Sequence, residues 1–173
     1  MTVLSADYRR DMGISRFPVL VYVLTPLAAL VLQAWLPRLL FGYAWFDLPL
    51  VVTVYFALAR RNAIQGTLMG AGLGLFEDAL THHAIGVNGV AKTVVGFLAG
   101  SVGARIDVED HTVRLILTFA LSLLSSAIYF FVYRILLGLE LDWNWLIELI
   151  KAVINSLIAL PLYHILDRMK IVE

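Results

Sequence analysis

The chain has 173 residues, 61% of them hydrophobic and 15% charged, with a formal net charge of zero and no cysteine. Soluble domains average about 45–50% apolar and about 25% charged. The composition therefore reads as that of an integral membrane protein, excludes disulfides and thiolate chemistry, and provides no bulk field for nucleic acid. The first sixteen residues, with Asp7, Arg9, Arg10, Asp11 and Arg16, read as a cytoplasmic tail rather than a cleavable signal. Six apolar segments follow. Span one covers 17–36, with Pro18 in its first turn and Pro26 in its middle. Span two covers 43–59 and contains Asp47 and Pro49, and span three covers 63–80 and ends in Glu77-Asp78. Span four covers 85–104 with Asn88 and Lys92, and span five covers 115–137 with Arg134 near its end. Span six covers 145–166 and contains Glu148, Lys151, Asn155 and Pro161. A transmembrane helix takes about 20 residues, so six of them use roughly 120 and leave no room for a soluble catalytic domain. The expected fold is an all-α integral membrane protein, a six-transmembrane-helix bundle in one domain.

Lysine and arginine set the direction of threading. With six spans, one side carries Arg9, Arg10, Arg16, Arg60, Arg61, Arg105, Arg114, Arg168 and Lys170, and the other only Arg38 and Arg134. Both termini are thus expected in the cytoplasm. Trp35, Trp45, Trp143 and Trp145 all fall at the outer ends of spans, where indoles favour the interface.

Nine of the twelve glycines lie between Gly66 and Gly103. Gly66, Gly70 and Gly74 recur every four residues in span three, Gly96 and Gly100 do so in span four, and Gly86 stands at the start of span four. Small faces of this kind let helix backbones approach closely in lipid. Spans three and four should form a tight hairpin closed by Thr81-His82-His83-Ala84. The glycine faces could pack within the chain, the simpler reading, or receive a helix from another protein.

Ionisable groups inside spans are costly and are functional candidates by default. Asp47, Glu77, Asp78, Lys92, Arg134, Glu148 and Lys151 all fall in the outer halves, together with Asn88, while the inner halves read as almost uniformly apolar. Four acids against three bases suggest mutual pairing. Lys92 lies within reach of Glu77 or Asp78 across the hairpin, and Glu148 and Lys151 share a helix face. These groups could merely neutralise one another and snorkel outward. Around Asp78, Asn88 and Lys92, beside the glycines, an outward-open pocket or a polar docking seam is the stronger expectation.

No catalytic centre is recognisable. The stretch Gly86 to Thr93 lacks the spacing of a phosphate loop, with Ala91 where a glycine is needed before Lys92. Adjacent His82 and His83 cannot both face one metal from a helix, and His111 and His164 stand alone in the sequence. Ser122, Ser125 and Ser126 have no histidine base at their depth and read as interhelical hydrogen-bond donors. No cofactor or metal is expected.

The segment from Gly70 to Leu98, GAGLGLFEDALTHHAIGVNGVAKTVVGFL, resembles the signature of the bacterial rod shape-determining protein MreD family. That signature is a glycine-rich helix ending in an acid, a short turn, Leu-Gly-x-Asn, then a glycine-containing helix. Asp78, Gly86, Asn88 and Gly96 match it position by position, and the start of span two, Asp47-Leu-Pro49, also fits. The motif covers about 30 residues; elsewhere the likeness is one of architecture. It implies a non-enzymatic scaffold of the cell-elongation complex in the bacterial inner membrane. The expected direct partner is MreC, with RodA, its penicillin-binding transpeptidase and MreB in the same complex, all in support of side-wall peptidoglycan synthesis and rod shape. The family's fold is similar to the substrate-binding subunits of energy-coupling-factor transporters. A vitamin-binding subunit of that kind is the alternative function, although the small-xxx-small alanine motif usual in its first span is absent: Ala28 and Ala29 face Leu32 and Gln33 at a spacing of four. A proton or ion carrier built on the acids would need polar residues continuing through the inner halves.

Overall fold

The computed structural model describes residues 17–39, 45–81, 84–108, 110–140 and 143–170, with the side chains of 36–39 also left aside. The terminal tail, His82 and His83 lie outside the described residues. Six α-helices and no strand are found among them: α1 (Val19–Leu39), α2 (Leu48–Arg60), α3 (Ala63–Thr81), α4 (Val87–Gly103), α5 (His111–Phe130) and α6 (Trp145–Asp167). A π-helical segment, Phe131–Leu136, continues α5. Each helix coincides with one predicted segment. The largest departure is at α2, which begins at Leu48 rather than 43 and runs for 13 residues. Asp47 therefore stands at the N-cap of α2, not inside it.

Most helix starts are set by a side chain that accepts an orphan backbone N–H. Asp47 Oδ1 accepts from Leu50 N, Asn62 Oδ1 from Gln65 N, Asp110 Oδ1 from Thr112 N and Asn144 Oδ1 from Leu146 N. The link between α2 and α3 is short because Arg61 turns the chain in the left-handed region, φ 52°. In its first turns α2 holds the run Val51-Val52-Thr53-Val54, β-branched residues that favour helix little on their own. Tertiary packing overrides that preference. Every residue from Pro49 to Ala59 is buried, as expected for a helix apolar all round. It forms the axis of the bundle, and α1, α3, α4, α5 and α6 all pack on it.

Two apolar clusters fill the interior. One joins Ala29 and Leu30 of α1 to Val52, Tyr55 and Phe56 of α2 and Ala159 and Tyr163 of α6. The other joins Val54 and Leu58 of α2 to Val95 and Ala99 of α4 and Leu121 of α5. The outer faces are apolar too: Leu20, Leu68, Phe76, Ile116, Leu146 and Leu157 all lie 60% or more exposed. Lys92, Asp78 and Thr118 are fully buried. An apolar exterior of this extent marks a surface meant for lipid or protein. Two helices, His111–Leu136 and Trp145–Asp167, are long and apolar enough to cross a membrane.

The tightest contact is between α3 and α4. A Cβ on Gly66, Gly70 or Gly74 would overlap the backbone of Gly96, Lys92 or Asn88, and one on Gly96 or Gly100 would overlap Gly66 or Asn62. These five glycines therefore serve packing inside this chain, the simpler of the two readings. Gly86 does not belong with them. No atom stands within 4 Å of its would-be Cβ, and its φ of +101° is the reason for glycine there.

Candidate functional site

Because Gly86 has no side chain, the start of α4 lacks a cap of its own. Asp78, near the end of α3, supplies it from across the turn. Its Oδ2 accepts the backbone N–H groups of Gly86 (2.8 Å), Asn88 (3.1 Å) and Gly89 (3.3 Å), and its Oδ1 accepts the Asn88 side-chain amide (2.8 Å). A carboxylate at a helix N-terminus is favoured by both the free amides and the helix dipole. These contacts satisfy both oxygens of the fully buried Asp78 side chain.

One turn into α4, Lys92 is fully buried as well. Its Nζ lies 2.6 Å from Glu77 Oε2, 2.8 Å from Asp47 Oδ2 and 3.4 Å from Asn88 Oδ1. The lysine thus pairs with Glu77, one of the two acids within predicted reach, and with Asp47 from α2. Asp78 is occupied by backbone. The charge is paired with two carboxylates and donates to Asn88 Oδ1, while Glu77 Oε2, although closest to Nζ, meets no donor in hydrogen-bond geometry. Burial of such a charge is tolerated only when it is paired.

Asp47 connects the cluster to the rest of the bundle. One carboxylate oxygen caps α2 and the other holds Lys92. Its backbone N–H donates to Asn155 Oδ1 of α6 at 2.8 Å, and Asn155 Nδ2 donates to Ser122 Oγ of α5 at 3.3 Å. From α1, Gln33 Nε2 donates to Phe46 O and Gln33 Oε1 accepts from Leu48 N. Six helices therefore contribute to one polar network around the start of α2. Ser122 makes the interhelical hydrogen bond its sequence position suggested, although as acceptor rather than donor; Asn155 was visible only as a polar residue within a span, and Gln33 gave no functional signal there. What signals it now is its spacing from the Asp47 turn, which no helical period reports.

The remaining predicted residues stand apart. Glu148 and Lys151 pair with each other at 2.9 Å on α6. Arg134 lies at an exposed position in the π-helical segment.

A second polar cluster, at the opposite end of the bundle, corrects the expectation of an almost uniformly apolar inner half. Asp167 accepts from Tyr55 (2.8 Å) and pairs with Arg114 (2.6 Å) and Lys170 (2.7 Å). Arg114 Nε donates to Val108 O. Thr118 donates to Arg114 O at 2.8 Å, and Tyr163 lies 2.8 Å from the Thr118 hydroxyl. Arg114 and Asp167 sit at helix ends 53 residues apart, so each alone looks like an interfacial charge. Among the described residues no group of three His, Asp or Glu side chains is placed to hold a metal.

Comparison with protein-family models, with curated proteins and with solved structures returns no match.

Proposed function

We propose that the chain is a multi-pass membrane scaffold of the MreD kind, which holds MreC in the inner membrane and so supports the elongation complex. The six helices would all cross the bilayer with both termini in the cytoplasm. The short α2 needs no lipid-length match because the other five helices surround it. The exposed apolar faces would meet acyl chains and partner helices. No catalytic role is part of this reading.

The observation that carries it is the closed state of the polar cluster. Lys92 has no exposed surface, and its ammonium is paired with Asp47 and Glu77 and donates to Asn88 of this same chain. Such a cluster braces a hairpin; a vitamin-binding subunit would need those groups turned toward a ligand. The motif resemblance from Gly70 to Leu98 supports the same reading. Contact with a partner helix in lipid comes from close packing and a few polar pairs, so the shape of the α3–α4 hairpin is what docking would depend on. Asp78, Asn88 and Lys92 would act by holding that shape.

The test is co-purification. A tagged chain expressed with MreC should recover MreC, and Asp78→Ala, Asn88→Ala and Lys92→Ala should each reduce the recovery. Full recovery with all three variants at normal expression would remove these residues from the docking argument. Absence of MreC from the wild-type eluate would remove the scaffold reading. A tightly retained small molecule in the purified chain would favour the transporter subunit instead.

A further inference from the structure

At the end of the bundle opposite Lys92, a groove of about 490 Å³ opens between the start of α1 and the start of α3. Phe17, Leu68 and Met69 line its apolar part, and Tyr22, Arg60 and Gln65 line its polar part. Leu68 is 68% exposed, so the groove is open along the α3 side. The Arg60 guanidinium lies over the Tyr22 ring, 5.9 Å from its centroid, and its Nε donates to Gln65 Oε1 at 2.9 Å. These two contacts fix the guanidinium plane. Among the described residues the Nη donors have no hydrogen-bond partner and Arg60 has no acidic partner. Of the neighbouring cations, Arg114 pairs with Asp167 at 2.6 Å, and Arg61 lies 3.8 Å from Asp107 with its Nη1 buried and without a hydrogen-bond partner.

We propose that this groove binds an anionic phospholipid, with its phosphate on Arg60 and an acyl chain along Phe17, Leu68 and Met69. A pre-oriented planar guanidinium suits two phosphate oxygens at once. Gln65 adds a neutral amide at the polar edge, and the apolar walls suit a chain rather than a free ion. Basic pockets between helices near the cytoplasmic surface recognise lipid headgroups by this combination. The inference rests on the membrane reading above, because only there does a lipid reach the groove from the side.

Native mass spectrometry of the delipidated full chain, offered palmitoyl-oleoyl phosphatidylglycerol or phosphatidylcholine at equal concentration, tests it. The wild type should retain phosphatidylglycerol about tenfold better, the scale of one charge-assisted contact. Arg60→Gln should abolish that preference. Arg168→Gln, which removes one charge outside the groove, should keep it. Leu68→Trp should fill the groove and lower phosphatidylglycerol retention with the charge intact, and it serves also if Arg60→Gln fails to fold. Equal retention of both lipids by the wild type, or an unchanged preference in Arg60→Gln, would overturn the site. So would a preference that appears only after residues 1–16 are removed, since the tail would then be the occupant. A chain released from membranes by carbonate washing would sink the membrane reading itself; one that stays in the membrane but shows no preference sinks the lipid site alone.

Discussion

Asp78 closes the start of α4 through Asn88, accepting its side-chain amide on one carboxylate oxygen at 2.8 Å and its backbone N–H on the other at 3.1 Å. A residue in the last turn of α3 thus caps the start of α4. Asp78→Ala removes every acceptor from buried amides, and each stranded group costs about 1–3 kcal/mol. The expected loss is roughly 3 kcal/mol or more, read as a lower midpoint on titration of micelle-solubilised protein with dodecyl sulfate. Asp78→Asn keeps one acceptor and should lose less. An Asp78→Ala midpoint equal to wild type would show that the turn has another cap.

Lys92 and its two acids predict a compensating pair. Lys92→Met leaves Asp47 and Glu77 facing each other at the same buried site, and breaking a buried pair in this way costs about 3–5 kcal/mol. Glu77→Gln alone removes one partner and leaves Lys92 with Asp47. The double variant Lys92→Met, Glu77→Gln should be more stable than Lys92→Met alone, because the excess negative charge is relieved. A double-variant cycle measures this, and strict additivity of the two losses would contradict the pairing.

How much of this was legible in the sequence follows from what each signal can carry. Helix number and extent came from apolar run length, a local property. The hairpin came from glycine spacing, and the Lys92–Glu77 proximity came from the two helices being adjacent in sequence. Asp47, 45 positions before Lys92, was recognisable as a costly charge but not as its second partner. The network through Gln33, Asn155 and Ser122 depends on α2 being the axis, and no periodicity states which of six apolar helices sits in the middle. The Arg114–Asp167 pair was hidden for the same reason. Ends of helices distant in the chain meet only once the packing order is known.

That second pair makes its own prediction. Arg114 and Asp167 meet at 2.6 Å, with Asp167 partly open to solvent and the Arg114 side chain almost wholly buried. Asp167→Ala strands the guanidinium, and partial exposure holds the loss to roughly 2–3 kcal/mol, below the full value for a buried pair. Tyr55→Phe removes a single hydrogen bond to the same carboxylate and should cost about 1 kcal/mol. The ranking, Asp167→Ala below Tyr55→Phe below wild type in thermal midpoint, is the check. Equal midpoints for the two variants would mean that Arg114 contributes nothing through Asp167.

The glycines of α3 provide the sharpest contrast, because two of them two residues apart should respond with opposite signs. Alanine in place of a mid-helix glycine stabilises by about 0.5–1 kcal/mol when there is space for the methyl group. At Gly72 there is space, since nothing lies within 4 Å of the added carbon. At Gly70 the same carbon would overlap the Lys92 backbone carbonyl, and backbone in the middle of a helix does not yield as a flexible side chain does. The α3–α4 hairpin would have to open, with an overpacking loss of typically 1–3 kcal/mol. Opening at that level also shifts Lys92 relative to Glu77, so the loss at Gly70 should shrink in a Lys92→Met background, whereas the gain at Gly72 should not change. Stability measured for the two alanine variants in both backgrounds decides it: a gain at Gly70, or a loss at Gly72, would mean that helix propensity or lipid contact, and not the closeness of the two backbones, governs this face.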